Sequence, residues 1–209
     1  MIIRLFFFTI IFLGFNASYI IKSTHASSKL GKIEFPTSGS GVAQHHFISG
    51  VAALHSFWYP EALKEFKNST KADPNLVMGY WGEAMAHNAP LWERQDSKSA
   101  KAALSKISDL SELTQREQDY IQAVQLLYGK GEKKARDKAY SNTMKKIYIK
   151  YPKDLEAACF YSLSLLGIAR NKGDKIKLRI NSGAIALEVY EQNPDHPCAA
   201  HYAIHAFDH

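Results

Sequence analysis

GVAQHHFISGVAALHSFWYPEALKEFKNSTKADP, the stretch of residues 41–74, decides the fold of this chain. It contains two segments with the apolar spacing of a helix, and Pro60 stands where the second segment begins. Proline is tolerated in the first turn of a helix but breaks a helix interior, so the stretch predicts two helices joined by a short turn. Small residues at Gly50 and Ala62, together with the aromatic Phe66, suit two helices that pack closely.

The spacing within this stretch identifies the kind of helix pair. Counted back from Pro74, the positions of Gly50, Ala62 and Phe66 match one tetratricopeptide (TPR) repeat of about 34 residues. Stacked TPR units present a concave surface for binding and seldom form a catalytic centre by themselves. Residues 42–209 are therefore predicted to be all-α, a TPR-like right-handed superhelix of antiparallel helix pairs (an α-solenoid) with about eight or nine helices.

Helical periodicity continues after this first unit almost to the end of the chain, without a hairpin turn or a long alternating segment. Later units are degenerate, because Pro152 and Pro194 follow helices at spacings that are not multiples of the TPR period. The last segment, AHYAIHAFDH, is apolar where a terminal repeat normally has a polar outer face. We therefore expect the chain to be the N-terminal part of a longer protein or a truncated gene product.

Residues 1–26 have the pattern of a secretory signal peptide. Arg4 precedes an apolar run over residues 5–15, and small residues at Thr24 and Ala26 suit a signal peptidase. Cleavage would leave a periplasmic or secreted protein without stable membrane insertion. The alternative is an uncleaved anchor helix, although the run is shorter than the roughly 20 residues that span a bilayer. Residues 27–41, rich in Ser, Gly, Pro and Thr, are predicted to form a flexible N-terminus.

The charge of the chain bears on its partners. The formal net charge is +6, and basic residues cluster between positions 130 and 150. Glu132 and Asp137 interrupt this cluster, so a solvated helix face explains it better than a nucleic-acid surface. A protein or peptide is the expected partner, and no nucleic acid is expected.

The two cysteines, Cys159 and Cys198, leave two interpretations open. In an exported protein a pair of cysteines can form a disulfide. Alternatively, Cys159 is a small buried thiol on an apolar helix. The chain has no C-x-x-C motif, so a zinc ribbon or a dithiol redox motif is unsupported.

Histidines recur on the last helix, where His201 and His205 stand four residues apart on one face. Such a pair is a competent half-site for a divalent transition metal such as Zn, Cu or Ni. His46 and His87 are candidates to complete this metal site if the superhelix curls back on itself. The alternative is that the histidines pack between helices, which the alanines around them permit. No other cofactor is expected.

Motifs for the common catalytic sites are missing from the sequence. It contains no G-x-S-x-G, P-loop, Gly-rich dinucleotide turn or H-E-x-x-H, so no catalytic residue is assigned. Tyr80, Trp81, Asn88 and Trp92 are the candidates for a partner-binding groove, because Tyr and Trp make good peptide anchors. The alternative is that these aromatic residues belong to the core.

Several motifs go beyond a generic repeat. They are YPEA from Tyr59, M-x-YWGEAM from Met78, N-x-PLW from Asn88 and NPDHPCAAHYAIHAFD from Asn193. Through them, residues 42–209 resemble a group of secreted bacterial TPR-domain proteins, mostly longer than this chain, that lack an assigned activity. The resemblance implies an α-helical repeat scaffold and a longer parent protein, but no catalytic residues. The chain departs from that group at Cys198, where glycine is usual, which weakens the case for a cysteine role.

Two functional hypotheses follow from these observations. The first is an exported TPR-like scaffold that binds a protein or peptide in its groove without intrinsic catalysis. The second is a histidine-based metal-binding protein or metallohydrolase that uses the helix carrying His201 and His205.

Overall fold

The computed structural model describes residues 27–28, 30–169 and 175–208, and the predicted signal peptide lies outside them. Within these ranges the chain is predominantly helical, which confirms the all-α class. The α-helices of the described ranges are α1 (Gly41–His55), α2 (Tyr59–Ala72), α3 (Val77–Ala86), α4 (Ser97–Leu104), α5 (Gln115–Leu127), α6 (Lys133–Lys150), α7 (Leu155–Ile168), α8 (Lys175–Gln192) and α9 (Ala199–Phe207). No helix in this part of the chain is both long and apolar enough to cross a membrane.

Two short antiparallel strand pairs accompany the helices. They join β1 (Ser27–Ser28) to β2 (Gly31–Lys32) and β3 (Asn88–Ala89) to β4 (Arg94–Gln95). Most helices pack against the next helix in sequence: α1 to α4 form one such series, and α5 to α9 form another. Contacts between α3 and α5 join the two series, α3 also contacts α1, and α7 contacts α9 as well as α8.

Phe66 is the centre of the first three helices. Its side chain on α2 is fully buried, and glycines of α1 and α3 face its ring. A Cβ atom added at Gly82 would lie 2.2 Å from the ring, and one added at Gly50 would lie 2.7 Å from it. Because such distances are far below van der Waals contact, glycine is required at both positions for the helices to approach this closely. The small residues noted in the sequence therefore serve close packing.

The N-terminal segment is ordered where the sequence predicted flexibility. Phe35 is 1% exposed, and its ring lies 5.2 Å from that of Phe47 and 5.6 Å from that of Trp81. The Lys32 amide donates to the Asp195 carbonyl at 3.0 Å, which fastens the segment to the loop before α9. The sequence prediction of flexibility for residues 27–41 rested on composition, whereas the structure packs Phe35 of this segment into the core. Burying one large aromatic side chain contributes about 1.5–3 kcal/mol, which offsets the ordering of a short segment.

Two helix starts follow directly from local sequence. A capping box precedes α5, since the Thr114 hydroxyl accepts from the Glu117 amide and the Glu117 carboxylate accepts from the Thr114 amide. Asp154 caps α7 by accepting from the amides of Glu156 and Ala157 at 3.1 and 3.2 Å. This cap sets the position of Glu156 in the first turn of α7.

The last helix, α9, packs against the end of the first helix, α1. On α9, Tyr202 is fully buried and its hydroxyl lies 2.8 Å from His55, the last residue of α1. The ring of Phe57, just after α1, stacks on Tyr202 with the centroids 5.5 Å apart. The end of α1, the start of α7 and the start of α9 therefore meet at one place inside the molecule.

Candidate functional site

A cluster of buried polar side chains occupies this meeting place. His55 ends α1, Glu156 lies in the first turn of α7, and His196 lies in the loop before α9. His55 and Glu156 are fully buried, and His196 is 3% exposed. Polar groups are rarely buried to this extent unless each one has a partner.

The hydrogen bonds of the cluster form one connected network. The two oxygens of Glu156 lie 2.6 Å from His55 Nε2 and 2.8 Å from His196 Nε2. His55 Nδ1 lies 2.8 Å from the Tyr202 hydroxyl, and the Cys198 amide donates to His196 Nδ1 at 3.2 Å. One proton assignment satisfies all of these contacts: both imidazoles donate from Nε2 to the carboxylate, and both accept at Nδ1.

This arrangement stabilises a charged carboxylate in the interior. Burial alone would raise the pKa of Glu156, but the interactions with the imidazoles of His196 and His55, which donate hydrogen bonds to the carboxylate, outweigh it and lower the pKa to about 2. Burial lowers the pKa of His55, against the opposing influence of Glu156. The amide dipoles at the start of α7 also favour a negative charge at this position. Glu156 is therefore ionised, and a neutral His55 donates to it.

Acid should destabilise the protein through this cluster. The pKa of Glu156 falls from its ordinary value of 4.5 to about 2 in the folded protein. The stabilisation from the ionised form is therefore complete above about pH 5 and is lost as the pH falls towards 2. The lowered pKa of His55 acts in the same direction from about pH 6.5 downwards, because only the unfolded chain charges this imidazole readily.

We expect the thermal unfolding midpoint, followed by circular dichroism, to fall steeply between about pH 5 and pH 2. In Glu156→Gln the midpoint should start lower and fall less, because that side chain does not titrate. Parallel pH curves for the two proteins would contradict this role of Glu156.

The two cysteines lie beside the same cluster. Cys159 on α7 and Cys198 before α9 form a disulfide, with the Cα atoms 6.0 Å apart, so the first of the two open interpretations is the one that the structure contains. Both residues are fully buried. His196 Nδ1 lies 3.6 Å from Cys159 Sγ. In the part of the chain that the structure describes, Cys159, His196 and Cys198 are the group that could hold a metal ion, with ligand atoms within 4.8 Å of one another.

The predicted four-histidine metal site does not assemble. The rings of His201 and His205 lie 4.9 Å apart, but His201 Nδ1 lies 2.8 Å from the His55 carbonyl and is occupied by that contact. His46 pairs instead with Glu65 of α2 at 2.6 Å. It precedes His55 by nine residues, or roughly 14 Å along the axis of α1, so α9 reaches the other end of that helix.

His87 is also apart from the proposed histidine site. It follows the last residue of α3, and partial burial lowers its pKa, against the opposing influence of the Asp96 carboxylate. The chain curls back as the metal prediction required, but α9 meets His55 rather than His46 or His87. The alternative interpretation, in which histidines pack between helices, describes His201 better.

The four predicted groove residues divide between the core and the surface. Trp81 is 1% exposed and packs edge-on against Phe160, so its assignment to an open groove was wrong and it belongs to the core. Asn88 is buried and accepts from the Gln95 side chain at 3.1 Å. Tyr80 and Trp92 do reach the surface, where Trp92 is 48% exposed. The spacing of the aromatic residues predicts which of them share a face of α3. It does not predict which face of α3 another helix covers.

An open cleft of about 850 Å³ lies between the N-terminal segment and the turn from α6 to α7. Two of the cationic groups that line it have carboxylate partners. Arg116 Nε donates to Asp154 at 2.6 Å, and Lys150 Nζ donates to Asp119 at 2.7 Å. These ion pairs at the cleft connect segments of the chain that are distant in sequence.

The sequence alone pointed elsewhere for the polar site. Glu156, His55 and His196 are not among the site residues that the sequence predicted. A signal was nevertheless present, because both His55 and Glu156 occupy positions on the buried side of apolar helices. No protein-family model, no curated protein and no solved structure matches this chain.

Proposed function

We propose that the protein is an exported, TPR-like scaffold that binds protein rather than carrying out catalysis, and that the outer face of α8 is its binding surface. Export rests on the signal-peptide pattern of residues 1–26. The TPR-like superhelix rests on the spacing of Gly50, Ala62 and Phe66. The binding surface rests on one observation, which concerns the two apolar sides of α8.

One side of α8 is packed and the opposite side is exposed, yet both are apolar. The packed side includes Ile185, Ala186 and Val189, all buried. The exposed side carries Ile176, Ile180, Leu187 and Tyr190, which are 68%, 53%, 45% and 45% exposed. At 3.6 residues per turn these four side chains fall within an arc of about 80°.

A helix that is apolar on opposite sides normally has neighbours on both. The four exposed apolar side chains of α8, from Ile176 to Tyr190, form a stripe, and a side chain of α9 extends it. The ring of Phe207 lies against Gly183, in the middle of the stripe, so closely that a Cβ atom there would be 2.3 Å from it. Phe207 is itself 54% exposed. Contiguous apolar surface of this kind marks a protein interaction site.

The partner that fits this surface is a second copy of the chain. The stripe is nearly symmetric about Gly183: Ile176 and Tyr190 are each seven residues from it, and Ile180 and Leu187 are three and four residues from it. An antiparallel pair of α8 helices would therefore place each apolar side chain against one from the other copy, as a two-fold interface requires. Exposed Lys177 near one end and exposed Glu191 near the other would then meet as opposite charges.

A protein partner also agrees with the carboxylate pairing of two lysines in the basic cluster. Lys133 pairs with Asp137 at 2.7 Å, and Lys150 pairs with Asp119 at the same distance. Lysines with carboxylate partners add little to the electrostatic attraction that nucleic-acid binding needs. We therefore propose protein, not nucleic acid, as the ligand.

Sedimentation equilibrium over a concentration series tests this proposal. The wild-type chain is expected to dimerise, and Ile180→Lys should weaken the dimer at least about tenfold, because it buries a charge in the centre of the interface. Ile149→Lys is the matched control, since Ile149 is 65% exposed on α6, away from the stripe. A monomeric wild type, or equal weakening by both substitutions, would overturn the proposed interface.

A charge exchange adds a second test that distinguishes a two-fold contact from nonspecific association. Lys177→Glu alone should weaken the dimer, because Glu191 of the second copy then faces a like charge. Combining Lys177→Glu with Glu191→Lys should restore the wild-type dissociation constant. Failure of the double variant to recover would exclude the antiparallel register.

A further inference from the structure

We infer that Cys159, Cys198 and His196 form a binding site for a thiophilic transition-metal ion, with Zn²⁺ as the reference ion, when the disulfide is reduced. The three side chains thus have two alternative states, a covalent bridge and a metal centre. This inference concerns the interior of the protein and is independent of the α8 surface.

The ligand atoms are already gathered. The two sulfurs and a nitrogen of His196 lie within 4.8 Å of one another, and all three residues are buried. Two thiolates and one imidazole are a ligand set that zinc proteins use, with a fourth position left to water or a substrate. Soft sulfur ligands favour Zn²⁺ or Cu⁺ and disfavour Mg²⁺ and Ca²⁺, which prefer oxygen.

Glu156 prepares His196 for metal binding. The Glu156 carboxylate lies 2.8 Å from His196 Nε2 and holds the proton there. His196 Nδ1 is consequently unprotonated and lies 3.6 Å from Cys159 Sγ. It accepts from the Cys198 amide at 3.2 Å in the oxidised protein, and a metal ion would replace that hydrogen bond. A carboxylate behind a metal-binding histidine is a recurring arrangement, because it fixes the tautomer and the orientation of the ring. His55, on the other oxygen of Glu156, holds that carboxylate in place.

The change of state balances with an ordinary dithiol reductant. Two thiols of the reductant give up two electrons and two protons and become a disulfide, and the bond between Cys159 and Cys198 becomes two thiols. Zn²⁺ then displaces the two thiol protons, which pass to solvent, and Zn–S bonds form. At about 2.3 Å per Zn–S bond and tetrahedral angles, the sulfurs would stand about 3.8 Å apart. That separation suits neighbouring side chains, since the Cα atoms are 6.0 Å apart.

Metal titration of oxidised and reduced protein provides the test. The protein is reduced with dithiothreitol, freed of reductant by anaerobic gel filtration, and titrated with Co²⁺ as a spectroscopic substitute for Zn²⁺. Reduced wild type should bind one ion per chain, with thiolate-to-cobalt charge-transfer absorption that added Zn²⁺ abolishes. Oxidised protein should show no such absorption. Reduced wild type without it would overturn the inference.

Variants assign the ligands. Cys159→Ser and Cys198→Ser should each lose most of the charge-transfer absorption, and Glu156→Gln should weaken affinity about 10–100-fold while the absorption at saturation persists. His205→Gln is the control, because His205 belongs to the other histidine pair, and it should bind as wild type does. Loss of binding in His205→Gln with retention in Cys159→Ser would place the metal on α9 and overturn the inference.

A measurement on unmodified protein covers the case in which a variant fails to fold. Zn²⁺ should slow the alkylation of Cys159 and Cys198 by iodoacetamide at least about tenfold in the reduced wild-type chain, as read by mass spectrometry. Mg²⁺ should not slow it. Equal rates with and without Zn²⁺ would contradict the inference without reference to any variant.

Discussion

Replacing Glu156 with alanine is expected to lower the free energy of unfolding by about 3–5 kcal/mol. The carboxylate is fully buried and is the acceptor for both His55 and His196. Its removal leaves two buried imidazole N–H groups without a partner, and each such group costs about 1–3 kcal/mol. Urea unfolding followed by circular dichroism measures the difference.

Glu61→Ala is the matched control for this substitution. Glu61 also stands in the first turn of a helix, but its side chain is 46% exposed and pairs with Lys64 at 3.2 Å. An exposed pair of this kind contributes about 0–1 kcal/mol. Equal losses of stability in Glu61→Ala and Glu156→Ala would show that the buried network does not stabilise the fold.

Phe66→Ala is expected to cost a similar amount, about 3–5 kcal/mol. The ring is fully buried between Gly50 of α1 and Gly82 of α3. Because glycine has no side chain, neither helix has atoms at these positions that could turn into the cavity left by the ring. Denaturant unfolding of the variant and of Lys67→Ala, an exposed neighbour on α2, separates the loss of the ring from an effect on the helix itself.

A double-mutant cycle isolates the contact between the ring and the glycine. Gly82→Ala alone should destabilise by about 1–3 kcal/mol, because the new methyl group collides with the ring. The double variant Gly82→Ala with Phe66→Ala should lose less stability than the sum of the two single losses, since the ring with which the new methyl group collides is absent. Strictly additive losses would mean that α2 and α3 do not approach as closely as the structure has them.

The features of this protein that were correctly predicted are local ones. The all-α class and the close-packed positions Gly50 and Phe66 depend on residues within one helix or one helix pair. Helical periodicity and capping chemistry act over such distances, so a single sequence contains them. Composition is a poor guide where the burial of one side chain matters more than the average polarity of a segment. Phe35 is such a case, because it is buried in a segment whose composition is typical of a flexible terminus.

The polar cluster depends on contacts that local patterns do not contain. His55 and Glu156 are 101 residues apart in sequence, and His196 follows Glu156 by 40. Which histidine meets the carboxylate depends on the angles at which successive helices stack. Small changes in those angles accumulate along the chain, so that α9 reaches His55 rather than His46.

The sequence by itself determined that this chain forms helices, where several of them begin, and which small residues allow them to pack. Those properties arise from backbone hydrogen bonding and side-chain size within a few residues. Only the tertiary structure decided which buried groups neutralise one another, which cysteines join, and that the second apolar side of α8 stays exposed. Three-dimensional packing brings together groups that are distant in sequence. Burial then makes an unpaired charge far more costly than it is in water, so the buried groups that meet must pair with one another.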